Sequence, residues 1–397
     1  MKYPLLENAF SKQDLQKGIN VLKTGRLTIS KITHKFEKTF AKGNESNFAL
    51  MCNSGSSANL LMVAAACNPL RKNSLKKGDE VILPAICWST SLWPLVQHGL
   101  RPVFVDIDVK TLNMNIEDLK NKITKKTKAI MCVHILGIST NMSEILSICK
   151  KKNLTLFEDT CESLGSKFNK KKLGNFGDFG SYSFYYSHQI TSGEGGMVVC
   201  KNKDDYELLK CLRSHGWSRN TKFHNYYKKR YKNLDEKFLF INSGYNLRPL
   251  DVTAAIANNQ YKRLNLFMKI RSENRKLIIN TITENKKWNN QFDFIKPEKK
   301  MSPSWFGLPI LINEKLKNKK ITLLRFLDKK MIENRPIVSG NFLNQPAIKL
   351  YKLNTKNKFY NSQLVEESGF FIGLHTKKIT KKMANYIATN LLKIDEI

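Results

Sequence analysis

The sequence predicts an α/β fold with a largely parallel, buried sheet, followed by a smaller α+β domain. Three observations lead there. Between residues 47 and 200, short apolar or β-branched runs alternate with helical segments, as strands joined by crossover helices do. After about residue 250 that alternation stops and a long helical stretch begins. The chain has 397 residues, 41% of them hydrophobic and 25% charged, which suits a globular protein of two or three domains. We place the boundary so that a large domain spans 1–255, with a helical segment at its start, and a small domain spans 256–397.

In chain order, residues 1–45 read as helical, with a break at the TGRLTISK stretch, 24–31. Residues 47–53 (NFALMCN) read as a strand and 56–70 as a helix. Residues 79–86 form the next strand, 88–99 a helix and 101–108 a strand. Residues 129–136 follow as a strand, 142–152 as a helix and 154–159 (LTLFED) as a strand. Two more strands are expected at 180–186 and 195–201. In the second part, 251–288 reads as one long helical stretch, 304–313 as a strand and 321–334 as a helix. Residues 335–341 and 369–375 (GFFIGLH) read as short, edge-like pieces. In sheets of this kind ligands bind at the carboxyl ends of the strands, so the chemistry is sought there.

The charge balance is lopsided: 67 Lys+Arg against 33 Asp+Glu, a net of +34. Nucleic acid or an anionic membrane would explain it. The excess is mostly Lys, accompanied by many Asn and Ile and scattered along the chain, which matches a low-GC codon bias better. A basic, aromatic cluster at 222–237 (KFHNYYKKRYKNLDEK) reads as a surface loop near a phosphate-bearing ligand as readily as a nucleic-acid contact. No nucleic-acid or membrane partner is expected. No uninterrupted apolar run reaches spanning length and the start does not resemble a secretory signal. The eight cysteines form no C-x-x-C pair, which argues against a disulfide framework, a zinc ribbon and an iron–sulfur cluster. A reducing cytoplasm fits them, and no metal site is expected.

Three motifs sit at strand ends. The first is Asn53-Ser54-Gly55-Ser56-Ser57-Ala58-Asn59, where free N–H groups at a helix start favour a phosphate and small residues let it approach. A plain N-cap would use the same serines. The second is Phe157-Glu158-Asp159, with Glu162 three residues beyond. Asp159 is placed for a ligand on the sheet edge, although Asp159 and Glu162 also match a capping box for a following helix. The third runs from Ser181 through Ser183 and His188 to Gly193-Glu194-Gly195-Gly196. An aromatic strand enters a Gly-rich turn that must bend or approach something closely. His188 there is a candidate general base. His134 reads as core, and His98 and His224 as surface or loop.

Taken together, a phosphate cradle, a strand-end Asp and the Ser181–Gly196 motif resemble the sugar aminotransferase (DegT/DnrJ/EryC1/StrS) family. Trp88, the segment Gly244-Tyr245-Asn246-Leu247-Arg248-Pro249, and Arg335-Pro336 strengthen the likeness, which covers nearly the whole chain. The resemblance implies the PLP-dependent transferase fold type I (aspartate aminotransferase-like). It implies pyridoxal 5'-phosphate, or its amine form pyridoxamine 5'-phosphate, as cofactor. In that family the residue at position 188 is a Lys that holds the cofactor covalently; here it is His188, and Ser187, Gln189 and Ile190 offer no amine. That departure resembles the branch that removes the C-3 hydroxyl of a GDP-linked 4-keto-6-deoxy sugar, with L-glutamate regenerating the amine form. A His-bearing relative acting on CDP-sugars carries a Cys-rich insert for an iron–sulfur cluster; the matching stretch 218–232 here has no Cys. An aminotransferase acting on a nucleotide sugar is the competing reading.

Residue by residue, the resemblance assigns His188 as catalytic. Gly55, Ser56 and Ser183 would hold the cofactor phosphate. Trp88 would stack on the pyridine ring, Asp159 would pair with its nitrogen, and Glu162 would lie near its hydroxyl. Asn246 would reach across a homodimer, possibly joined by Arg248. His215, Arg248, Trp305, Arg335, Asn341 and His375 are the candidate contacts for the nucleotide sugar or glutamate. Packing or a surface ion pair would account for each of these just as simply.

Overall fold

The computed structural model describes residues 1–7, 9–353 and 357–397. Seven strands form the main sheet, in the order Phe48–Cys52, Gly196–Cys200, Phe179–Ser183, Thr155–Asp159, Thr127–Val133, Glu80–Pro84, Arg101–Val105. All run parallel except Gly196–Cys200, which is antiparallel to both neighbours. The helices expected at the crossovers are Gly55–Ala66, Ser89–Gln97 and Met142–Lys152. Two more, Ile116–Lys122 and Lys203–Arg213, were not among the expected elements, although the second buries an apolar face of Leu208, Leu209 and Leu212.

Alternation along the strands builds a core on each face. Leu50, Cys52 and Val198 pack into one cluster with helix Gly55–Ala66. Ala49, Met51, Met197 and Val199 pack into the other, against Phe36, Phe40 and Ala254. Those last residues belong to helices Lys31–Asn44 and Asp251–Tyr261. The expected break near 24–31 separates helix Lys12–Leu22 from Lys31–Asn44. Ser11 and Asp14 close a capping box on the first of these.

A four-stranded antiparallel sheet follows, in the order Phe292–Phe294, Gly307–Ile312, Gly369–Gly373, Asn334–Arg335. The GFFIGLH segment is therefore an interior strand rather than an edge. It pairs on both sides and is buried along its whole length. The long helical stretch is interrupted at Lys262–Arg263, giving helices Asp251–Tyr261 and Leu264–Thr283. There Arg263 turns its guanidinium onto the buried Asp14 carboxylate.

The N-terminal segment straps the second sheet. The Tyr3 hydroxyl donates to Gly373 O at 2.8 Å, and Leu5 N–H donates to Glu333 at 2.9 Å. A Cβ at Gly373 would stand only 2.1 Å from Leu5 O, so that approach requires glycine. The basic cluster at 222–237 contains helix His224–Arg230, which buries no side chain. No helix among the described residues is long and apolar enough to cross a membrane.

Candidate active site

The phosphate-cradle motif folds as a strand–turn–helix. Ser54 is the N-cap of helix Gly55–Ala66, its hydroxyl accepting from Ser57 N–H at 3.1 Å. Among the described residues nothing accepts from the N–H groups of Gly55 and Ser56, and the Ser56 side chain is exposed. A helix start of this kind attracts an anion. Position 55 must lack a side chain: a Cβ there would lie 2.5 Å from Ser183 Cβ and 3.1 Å from Cys161 Sγ. Gly55 thereby brings the helix start against the end of strand Phe179–Ser183. Gly196 does the same from the other side, since its Cβ would meet Ser54 O at 2.1 Å.

Asp159 ends its strand and faces donors only. Asn59 Nδ2 and the Ser91 hydroxyl each donate to Oδ2 at 2.7 Å, and Cys161 N–H donates to Oδ1 at 3.2 Å. The Ser181 hydroxyl in turn donates to Asn59 Oδ1 at 2.5 Å. The capping-box alternative fails here, because turns rather than a helix follow Asp159. Glu162 uses its carboxylate on Leu136 N–H at 2.9 Å. Burial pushes the Glu162 carboxyl up to about 7, with the Asp159 charge adding and the Leu136 N–H opposing. Leu136 is buried in the left-handed region at φ 51°, a conformation that costs a non-glycine residue free energy and clusters at functional sites.

His188 lies in the turn just past Phe179–Ser183. Its N–H donates to Tyr185 O at 3.1 Å. Its ring stands edge-on to Phe306 (5.1 Å, 85°) and to Tyr185 (5.9 Å, 89°). Nδ1 is sealed from solvent and has no partner among the described residues. Burial, and behind it the charge of Arg271, hold the imidazole down to about 3, so it is neutral near pH 7. Gln189 ties this turn to the main-chain oxygens of Glu162 and Ser304.

Trp88 caps helix Ser89–Gln97 and is 55% exposed, its indole free to meet a flat ring. Asn246 is exposed, pairs through its backbone with Ser214, and accepts from Arg248 Nε at 3.0 Å. His215 stands beside it at φ 60°, its N–H on Tyr245 O at 2.7 Å. Arg335 is exposed on an edge strand beside Phe371, its guanidinium donating to its neighbour's carbonyl, Asn334 O. The remaining three are engaged elsewhere. Trp305 is 3% exposed beneath the Arg275 guanidinium. Asn341 caps the turn Phe342–Asn344 and donates its N–H to Glu366. His375 stacks on Tyr3 and bonds Pro4 O at 2.7 Å. His134 is core, bonded to the buried Glu158 at 3.1 Å.

The sequence reading named Asn59 in its first motif without giving it a role, and it passed over Ser91 and Arg271. A polar Asn in the otherwise apolar helix Gly55–Ala66 was a usable signal; nothing marked the other two. All eight cysteines are free thiols, and the described residues contain no cluster of three or more potential metal ligands.

The pattern of the DegT/DnrJ/EryC1/StrS aminotransferase family matches residues 8–392. The chain is 38% identical over 378 residues to GDP-4-keto-6-deoxy-D-mannose 3-dehydratase of Escherichia coli O55:H7, covering 94% of this chain and 96% of that one. The solved structure of E. coli GDP-4-keto-6-deoxy-D-mannose-3-dehydratase with bound hydrated PLP superposes with a TM-score of 0.89 at 36% identity, over 98% of this chain and 99% of that one. A His-to-Asn mutant of GDP-4-keto-6-deoxymannose-3-dehydratase with bound GDP-perosamine gives the same TM-score, 0.89, at 36% identity, over 98% of this chain and all of that one. The chain belongs to the DegT/DnrJ/EryC1/StrS aminotransferase family.

Proposed function

We propose that this chain removes the C-3 hydroxyl of GDP-4-keto-6-deoxy-D-mannose, giving GDP-4-keto-3,6-dideoxy-D-mannose, at the expense of L-glutamate. The observation that carries this reading is His188, a neutral imidazole at the turn after the site strand, in a stretch 185–195 that contains no Lys. The likeness to dehydratases of this substrate over nearly the full chain supports it. The reaction balances: the sugar loses an oxygen and gains two electrons, and glutamate supplies them by becoming 2-oxoglutarate and ammonia.

The residues fit pyridoxamine 5'-phosphate. The free N–H groups of Gly55 and Ser56, with the Ser56 and Ser183 hydroxyls, suit its phosphate. Asp159, steadied by Asn59, Ser91 and Cys161 N–H, suits a protonated ring nitrogen. When bound, the cofactor supplies an amine for the C-4 ketone and a ring that takes up electrons.

His188 takes a proton from the reacting carbon and delivers it to the departing C-3 oxygen, so one imidazole serves as base and then as acid. Its neutral state makes it ready to accept. Trp88 covers the ring face, and Glu162, poised near neutrality, holds or releases a proton beside the ring hydroxyl. His215, Arg248 and Arg335 meet the anionic groups of nucleotide or glutamate. The working unit is a homodimer in which Asn246 and Arg248 complete the neighbouring copy's site. It operates in the cytoplasm and feeds deoxysugar to a surface polysaccharide.

The test is incubation with GDP-4-keto-6-deoxy-D-mannose, cofactor and glutamate, followed by mass spectrometry. Loss of one oxygen with equimolar ammonia is expected. A stable GDP-amino sugar, the transaminase product, would refute the reading.

A further inference from the structure

Among the described residues the largest fully buried side chain belongs to Arg271, on helix Leu264–Thr283. Among the described residues no carboxylate pairs with it. Nη1 donates to the main-chain oxygens of Trp305 (3.0 Å) and Phe306 (3.2 Å), and Nη2 donates to His188 O at 3.2 Å. Its Nε is sealed and has no partner among the described residues. Removing a charge from water costs several kcal/mol, and three carbonyl dipoles offset only part of that cost. Burial accordingly lowers the guanidinium to about 10, which still leaves it cationic at neutral pH.

The three carbonyls are not scattered. One is that of the imidazole-bearing residue, and another belongs to Phe306, whose ring packs edge-on to that imidazole. We propose that Arg271 is a positioning residue for His188: one guanidinium clamps both the turn that carries the imidazole and the wall it leans on, and places a fixed positive charge behind it. The inference rests on the reading of His188 as the proton carrier.

The titratable groups packed around the turn are few. Tyr185 lies on the same segment, Glu162 lies across Gln189, and Arg271 comes from the long helix. Tyr3, His375 and Glu7 form the far side of the cluster around Arg271. Among them Arg271 is the cation that opposes an imidazolium, acting in the same direction as burial. The device keeps His188 in its proton-accepting form and leaves the main chain unable to carry the ring away from its station.

The experiment reads His188 directly, by NMR titration of histidine-labelled protein without cofactor or substrate. The His188 signal is assigned by its absence in His188→Gln. In the wild-type chain His188 stays neutral down to about pH 5; a midpoint near the ordinary ~6.5 would overturn the proposal without need of any variant. In Arg271→Gln, which keeps donors and loses charge, the midpoint rises by about 1 or more; an unchanged midpoint in the folded variant would overturn it. In Arg271→Lys, which keeps charge and loses the fork, the midpoint stays low while kcat falls about 10-fold or more with KM little changed; an unaltered kcat would remove the clamp. Should the midpoint shift as stated while no dehydration is found, the coupling stands and the functional reading fails.

Discussion

Replacing Glu162 by Gln gives a pH-dependent gain in stability whose sign the structure fixes. The Glu162 carboxyl is raised from its ordinary 4.5 to about 7 by burial. Between those values the folded chain holds a proton that the unfolded chain has released. Stability therefore falls as pH rises through that window, and the full penalty applies above about pH 7. The difference of 2.5, at about 1.36 kcal/mol for each factor of ten, sets a ceiling of about 3 kcal/mol. Partial contact with solvent brings the expected value to between about 1 and 3 kcal/mol. Gln keeps an oxygen for Leu136 N–H and does not titrate. Urea unfolding of the cofactor-free protein should show Glu162→Gln more stable than wild type at pH 8, with the gap closing toward pH 5. A gap that is constant with pH, or largest at pH 5, would refute the placement of this carboxyl.

Further outcomes follow from single contacts. Gly55→Ala puts a Cβ 2.5 Å from Ser183 Cβ. It should cost about 1–3 kcal/mol of stability and weaken pyridoxal phosphate binding about 10-fold or more, read by fluorescence titration. Asp159→Asn sets an amide donor among the three donors it faces. It should cost about 1–3 kcal/mol in thermal or urea unfolding and change the absorption of the bound cofactor. Arg213→Ala removes the cation that the buried Glu37 contacts at 2.7 Å, leaving it only His34 and Met51 N–H among the described residues. A loss of about 3–5 kcal/mol is expected in unfolding, and a loss below 1 would contradict a desolvated pair.

The α/β layout was legible because buried strands and crossover helices leave different periods in the sequence. The GFFIGLH segment misled because its glycines and shortness imitate an edge, whereas partners on both sides come from Gly307–Ile312 and Asn334–Arg335, distant in sequence. The Asp159–Glu162 spacing imitated a cap for the same kind of reason: a local rule was satisfied by residues whose partners, Asn59, Ser91 and Leu136, are brought by the fold. Asp159 and Ser183 end their strands, Gly55 opens the helix after one and His188 lies in the turn after another, positions that the strand–turn pattern of the sequence marks. Arg271 was not readable, because a charge on a helix ordinarily faces water and this one acts through main-chain oxygens. The polar atoms of Asn341 and His375 gave no hint that a cap and the N-terminal strap would occupy them.

Borohydride reduction of the native protein with pyridoxal phosphate, in the absence of substrate, followed by intact mass, asks most directly whether an imidazole replaces the covalent anchor. The mass of the native chain should not change, while His188→Lys should gain one reduced cofactor on the peptide bearing position 188. A native chain that gained the same mass on any lysine of its own would contradict the role given to His188.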